Sequence, residues 1–305
     1  MASRRANLEE PAQLIQPLCS SWEDARDLLR EWREENLRNS EQVVEVGDFL
    51  MQRGLAGKLG DEVWPAYEQI FLAALECGRL ELAQVCYKQL RRQFPGSLRV
   101  AKLEAMRYEF LQKYDVAEQK YHKILEEDEA NSAVHKRLIA IHKAQGKIPE
   151  AIKELNKYLE RFMSDHEAWL ELANLYIAEL EYGKAAFCLE ELIMANPQCH
   201  LYHQRYAEIR YTQGGTENME LARKYFAQAA KLNPTSIRAL FGLFLAASHL
   251  ASQQKGGGTK SSKSENKKYA AWAAKQIQER YEALGQSEDS QLKALTATLD
   301  SLELS

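Results

Sequence analysis

Ala83, Ala117, Ala151 and Ala185 stand on a ruler, each 34 residues after the one before it. A period of this length means that the chain repeats one structural unit, and 34 residues accommodate two helices and the turn between them. Such a unit cannot bury its apolar face alone; it is stable only when stacked on neighbours. The ruler therefore predicts an all-helical array, and arrays of this kind bind rather than catalyse.

With each ruler alanine at position 20, the units are 64–97, 98–131, 132–165 and 166–199. The last of them is the most complete, with Trp169, Leu172, Ala173, Tyr176, Tyr182, Ala185, Leu189 and Pro197 at the signature positions of a tetratricopeptide repeat. Position 24 holds Tyr87, Tyr121, Leu155 and Leu189, on the same helical face as the alanine four residues earlier. Gly78 and Gly146 occupy position 15, where a helix must end, and Pro149 follows near the start of the next helix. A fifth unit carries Tyr206, Ala207, Ala222, Phe226, Ala229 and Pro234, but Ala222 comes 37 residues after Ala185. The three extra residues are expected in the turn at Gly214, Gly215 and Thr216, because a surface turn absorbs insertions cheaply.

The frame predicts this organisation: a poorly ordered 1–19, capping helices over 20–63, five tetratricopeptide repeats over 64–236, a sixth helix pair over 237–283, and a C-terminal helix within 284–305. Ser21 is expected to cap the first helix through Asp24, and Ser40 the second. The sixth pair is interrupted by 252–268, a tract of Ser, Gly and Lys without apolar residues that is expected to be a disordered loop. The predicted fold is thus an all-α superhelical solenoid of five to six helix pairs with N-terminal capping helices.

Composition narrows function by exclusion. A net charge of −4 over 305 residues gives no field that would recruit nucleic acid or anionic lipid. Five cysteines, an odd number without a Cys-x-x-Cys pair, argue against a disulfide framework or structural zinc and for a reducing compartment. The amino terminus has no apolar run that serves as a signal peptide, and the apolar stretch from Ala239 to Ala247 is too short to span a bilayer. Membrane association is expected only through partners. Cys199, His200 and His203 lie too close together for a zinc site and read as a repeat junction. His135 and His142 fall at packing positions of one helix. No cofactor, metal or catalytic group is expected.

In such arrays the first helix of each unit lines a groove, through positions 2, 5, 6, 9 and 12. Position 9 gives Leu72, Met106, Ala140 and Asn174, and position 5 gives Glu68, Lys102, Lys136 and Leu170. Arg99, Arg137 and Lys143 add positive charge. The predicted partner-binding groove is therefore Arg99, Lys102, Met106, Lys136, Arg137, Ala140, Lys143 and Asn174, an apolar floor with a basic wall suited to a polypeptide bearing apolar anchors and carboxylates. A chaperone-type adaptor that binds peptides transiently is the alternative. The Lys–Asn pairing of the carboxylate clamp is not met, since Lys102 goes with Met106 and Lys136 with Ala140.

Beyond the repeat, WREENLRNSEQVVEVG at 32–47, LRRQFPGSLRV at 90–100, KAAFCLEELIMANP at 184–197, YTQGG at 211–215, RKYFAQAAKLNP at 223–234 and ALFGLFLAASH at 239–249 resemble one family. This is the endoplasmic reticulum membrane protein complex subunit 2 family, also called the tetratricopeptide repeat protein 35 family. The resemblance runs from about Trp22 to Leu284. It implies a non-catalytic scaffold at the cytoplasmic face of the endoplasmic reticulum membrane, peripheral to it, in a complex that inserts tail-anchored and multipass proteins. It further implies that the partners are other subunits of that complex, namely cytosolic segments of membrane subunits and a soluble subunit.

Overall fold

The structure, a computed structural model, describes residues 19–253, 260–283 and Ala297. The described residues form helices joined by short turns, with no strand. In order they are α1 (Trp22–Glu34), α2 (Ser40–Gln52), a short 3₁₀ segment (Ala56–Glu62), α3 (Val63–Glu76), α4 (Leu80–Gln93), α5 (Leu98–Phe110), α6 (Tyr114–Glu127) and α7 (Ser132–Ala144). There follow α8 (Ile148–Arg161), α9 (His166–Ala178), α10 (Tyr182–Ala195), α11 (His200–Gln213), α12 (Thr216–Leu232), α13 (Ile237–Gln253) and α14 (Lys260–Ala283).

The helices gather into two compact units, residues 1–141 and 142–305, a division that the uniform ruler does not foreshadow. In the first unit α3 packs on α4 and α5 on α6; in the second, α9 packs on α10, α11 on α12 and α13 on α14. The ruler alanines explain why these pairs close. Ala83, Ala117, Ala151, Ala185 and Ala222 are all 0% exposed. Opposite them, at position 8, Phe71, Ala105, Ala173 and Ala207 are also buried, so that side-chain volume at this contact sets the distance between axes.

A second ruler appears in the backbone. Gly78, Gln112, Gly146, Leu180 and Gly214, spaced by 34 residues, are all left-handed, with φ of 74°, 57°, 72°, 60° and 72°. After four of them the next amide donates back across the helix end: Arg79 N to Ala74 O, Lys113 N to Tyr108 O, Lys147 N to His142 O and Glu181 N to Tyr176 O, over 2.7 to 3.0 Å. This is the Schellman arrangement that satisfies the last carbonyls of a helix and reverses the chain. The following helix starts two residues later every time, at Leu80, Tyr114, Ile148, Tyr182 and Thr216.

Gly214 and Thr216 thus remain on the ruler, and the three-residue insertion does not enlarge the turn. It lengthens α12, which has 17 residues where α4, α6, α8 and α10 have 14. Three residues make nearly one helical turn of 3.6, so added ahead of Ala222 they leave it facing its neighbour.

At the amino end Ser21 accepts from the Asp24 amide and the Asp24 carboxylate accepts from Ser21 N at 3.1 Å, a capping box. Ser40 is not a cap; it is the first residue of α2, and its hydroxyl donates to Glu76. Both helices share one core with α3 and α4, through Leu29, Trp32, Val46 and Leu50. At the carboxyl end the loop expected over 252–268 is too wide. Helix α13 extends to Gln253 and α14 already begins at Lys260. A helix whose buried positions Ala270, Ala273 and Ile277 pack on α13 carries the polar residues before them as extra turns. The expectations for 1–18 and for a helix within 284–305 concern stretches outside the described residues.

Candidate partner-binding grooves

The first helices of the repeats are tied together by charge. Within the first unit, Arg99 of α5 binds Glu68 of α3, with Nε 2.9 Å from Oε1, and Arg137 of α7 binds Glu109 of α5 at 3.3 Å. Within the second unit, Lys143 pairs with Glu171 of α9, Arg205 of α11 donates to Asn174 Oδ1 at 3.3 Å, and Arg238 of α13 binds Glu208 of α11 at 2.5 and 3.0 Å. The four arginines reach acceptors 28 to 31 residues before them, whereas Lys143 reaches forward to Glu171, 28 residues after it.

Two open grooves result. In the first unit, the α1–α2 turn, α3 and Arg99 enclose about 440 Å³. Leu37, 47% exposed, and Leu72 give this groove apolar contact area. Its polar wall is Arg33, donating to Gln69 Oε1 at 3.0 Å, and Arg38, which holds Glu76 at 2.6 Å. The Arg38 hydrogen bond keeps the Glu76 carboxyl below the usual carboxylate range, so both partners stay charged at neutral pH. In the second unit, α9, α11 and α13 enclose about 460 Å³ lined by Ile177, Ile209, Phe241 and Leu245 beside Arg205, Glu208 and Arg238. Gly242 admits the Phe226 ring under this surface; a Cβ there would lie 2.3 Å from Phe226 Cε1.

The eight residues expected to line a groove are distributed over both units. Arg99 lines the first groove. Lys102 and Met106 are half-buried on α5, and Met106 packs against the core instead of standing clear as an anchor. Lys136 and Arg137 are half-buried on α7, Ala140 and Lys143 are exposed there, and Asn174 is exposed on α9. The basic wall is not bare: Arg99, Arg137 and Lys143 already hold carboxylates. The ladder through Arg205, Glu208 and Arg238 was missed, as were Phe241 and Leu245. Arg205, Glu208 and Tyr211 do fall at positions 6, 9 and 12 of the fifth unit, which the unbroken register up to Gly214 makes readable.

Such chemistry is of a kind that suits polypeptide. The wall presents paired opposite charges whose hydrogen bonds can be exchanged with backbone or side-chain groups of a partner, beside apolar area for its anchors. The histidines near Cys199 serve the fold, His203 Nε2 lying 2.8 Å from Pro197 O and His200 Nε2 2.8 Å from Asn233 Nδ2. His135 likewise contacts Glu129 O at 3.0 Å. Burial pushes the Cys86 and Cys188 thiols up to about 12, which keeps them protonated and inert at neutral pH. Among the described residues no cluster of His, Cys, Asp or Glu has the makings of a metal site, and no helix is long and apolar enough to cross a membrane.

Residues 82–218 match the family model described as the EMC2 TPR-like repeat domain. The chain is 54% identical to ER membrane protein complex subunit 2-A of Xenopus laevis over 93% of its own length and 94% of the relative's. It is 31% identical to ER membrane protein complex subunit 2 of Dictyostelium discoideum over 74% of each chain. Among solved structures, the C-terminal part of a TPR repeat-containing protein from Cytophaga hutchinsonii superposes with a TM-score of 0.55 over 83% of this chain and 93% of that one; at 16% identity this likeness concerns the fold alone. The repeat register, the paired helices and this degree of identity along nearly the whole length lead to one conclusion: the chain belongs to the ER membrane protein complex subunit 2 family.

Proposed function

We propose that this chain is a non-catalytic scaffold subunit of an ER membrane protein complex, peripheral to the cytoplasmic face of the membrane. It binds cytosolic segments of membrane-embedded subunits and a soluble subunit, and so supports insertion of tail-anchored and multipass proteins without performing it. The observation that carries this reading is the pair of open grooves on the first helices of a chain from this family, each combining apolar area with exchangeable Arg–carboxylate pairs. Arg99, Lys102, Met106, Lys136, Arg137, Ala140, Lys143 and Asn174 contribute to the partner surface, together with Arg205, Glu208 and Arg238.

Affinity purification of the tagged chain from detergent-solubilised cells, followed by mass spectrometry, tests this. Stoichiometric recovery of membrane subunits of the complex through high-salt washes is expected, and their absence overturns the reading. Partners that wash away with salt assign the chain instead to transient adaptors. In the same assay Lys102→Glu with Lys136→Glu is expected to lower recovery while leaving thermal unfolding in place.

A further inference from the structure

Within the second unit, α12 and α14 face each other across α13 and leave an open channel of about 650 Å³. Its floor is apolar: Leu240 and Leu243 of α13 are each 1% exposed. The α12 wall is Ala227, Ala230, Lys231 and Pro234, at i, i+3, i+4 and i+7, and the α14 wall runs from Glu265 through Tyr269 and Trp272 to Gln276, about 16 Å of helix. Trp272 stands 49% exposed. A tie near the amino-terminal end of both walls fixes the width. There Arg223 of α12 donates to Asn266 Oδ1 at 2.6 Å and lies 4.9 Å over the Tyr269 ring, and Asn266 is 2% exposed. The channel is thus preformed, and an apolar cleft of this size with a half-exposed indole on its wall has the features of an interaction surface.

The shape of the channel decides what fits it. A flat bilayer surface meets Trp272 and the exposed lysines beside it but leaves the volume above Leu240 and Leu243 unfilled, whereas apolar side chains inserted between the walls fill it. The lining residues recur at helical spacing on both walls, and Ala227 and Ala230 are small enough to admit the ridge of a third helix. This is the helix-in-groove mode, in which side chains at i, i+3, i+4 and i+7 anchor an amphipathic helix. Charge fixes its polar face. Lys231 on one wall and Lys268 on the other are exposed, and Glu265 is the one carboxylate among the described lining residues, so carboxylates flanking the apolar stripe are favoured over lysines.

We propose that this channel seats an acidic amphipathic helix of a partner protein, with its apolar stripe over Leu240, Leu243 and Trp272 and its flanking carboxylates on Lys231 and Lys268. The proposal rests on the reading of the chain as a scaffold and adds a further docking site to it. Among the described residues, the channel lining shares none with the groove of α9, α11 and α13, so both sites can be occupied by different segments.

Photo-crosslinking in the assembled complex tests this. The full chain with p-benzoylphenylalanine in place of Trp272, purified with its partners from detergent-solubilised cells, is irradiated, and the crosslinked peptides are sequenced by mass spectrometry. The expected crosslink lies in a segment of another protein of the complex that carries apolar residues at i, i+3, i+4 and i+7 and an excess of carboxylates. Lys231→Glu with Lys268→Glu is expected to lower its yield about tenfold while thermal unfolding stays unchanged. A crosslink to lipid, to this chain itself or a second copy of it, or to a segment without that stripe and charge overturns the proposal. So does a yield indifferent to the charge reversals, or no crosslink at all. Recovery of membrane subunits in the same preparation keeps these outcomes distinct from failure of the scaffold reading, which depends on that recovery and not on the crosslink.

Discussion

The Arg99 guanidinium grips the Glu68 carboxylate with both arms, Nε 2.9 Å from Oε1 and Nη2 2.6 Å from Oε2, across one repeat of the chain. The cation is 70% exposed and the carboxylate 18%, so solvent weakens the pair and the arginine stays accessible. Arg99→Ala is expected to cost less than about 1 kcal/mol in urea unfolding, as exposed pairs do. Arg99→Glu, which sets two carboxylates together in the groove, is expected to reduce recovery of partners in the affinity purification far more than it reduces stability.

Gly242 lets α13 approach α12, and a methyl group there would come within 2.6 Å of three Phe226 ring atoms. Gly242→Ala is expected to destabilise the second unit by about 1–3 kcal/mol through overpacking. Phe226→Leu in the same chain is expected to recover part of the loss. Thermal unfolding of the two single variants and the double variant measures the coupling.

Leu180 holds a left-handed φ of 60° while its side chain is 69% exposed, so nothing is gained from the leucine to offset the strain. Glycine takes this conformation without penalty, as it does at Gly78, Gly146 and Gly214. Leu180→Gly is expected to raise stability by about 1 kcal/mol, and Gly146→Val to lower it by a similar amount. Urea midpoints of both variants check the pair of signs.

Burial raises the thiols of Cys86 and Cys188 and the Tyr206 phenol up to about 12, and it raises Tyr121, which also donates to Glu109 at 2.9 Å. The folded chain therefore keeps these protons to higher pH than the unfolded chain does. Their contribution is complete below pH 9, the ordinary value for a thiol, and is lost as pH rises towards 12. Stability from urea titrations is expected to fall steadily above pH 9. At pH 8 a thiol reagent is expected to modify exposed Cys77 first and to reach Cys86 and Cys188 only on unfolding.

Some of this was legible in the residues alone. The ruler alanines, the turn glycines and the capping box at Ser21 and Asp24 depend on contacts within one helix pair, where sequence spacing and spatial spacing coincide. Gln112 and Leu180 escaped notice because the Schellman turn, and not the residue, imposes their left-handed conformation. The start of α14 at Lys260 escaped because helix length there follows from packing of Ala270, Ala273 and Ile277 on α13, while the tract itself has poor apolar content.

The sequence by itself determined the period, the all-helical class and the faces that meet inside each pair, because a 34-residue repeat with alanine at one position leaves a single way to bury its apolar stripe. Tertiary structure alone decided where the insertion went, that the chain condenses into two units, and what the groove lysines and arginines do. Those outcomes depend on distances between different repeats. A cation that reads as free along the chain is held by a carboxylate about 30 residues away, and only the stacked helices bring the two within reach.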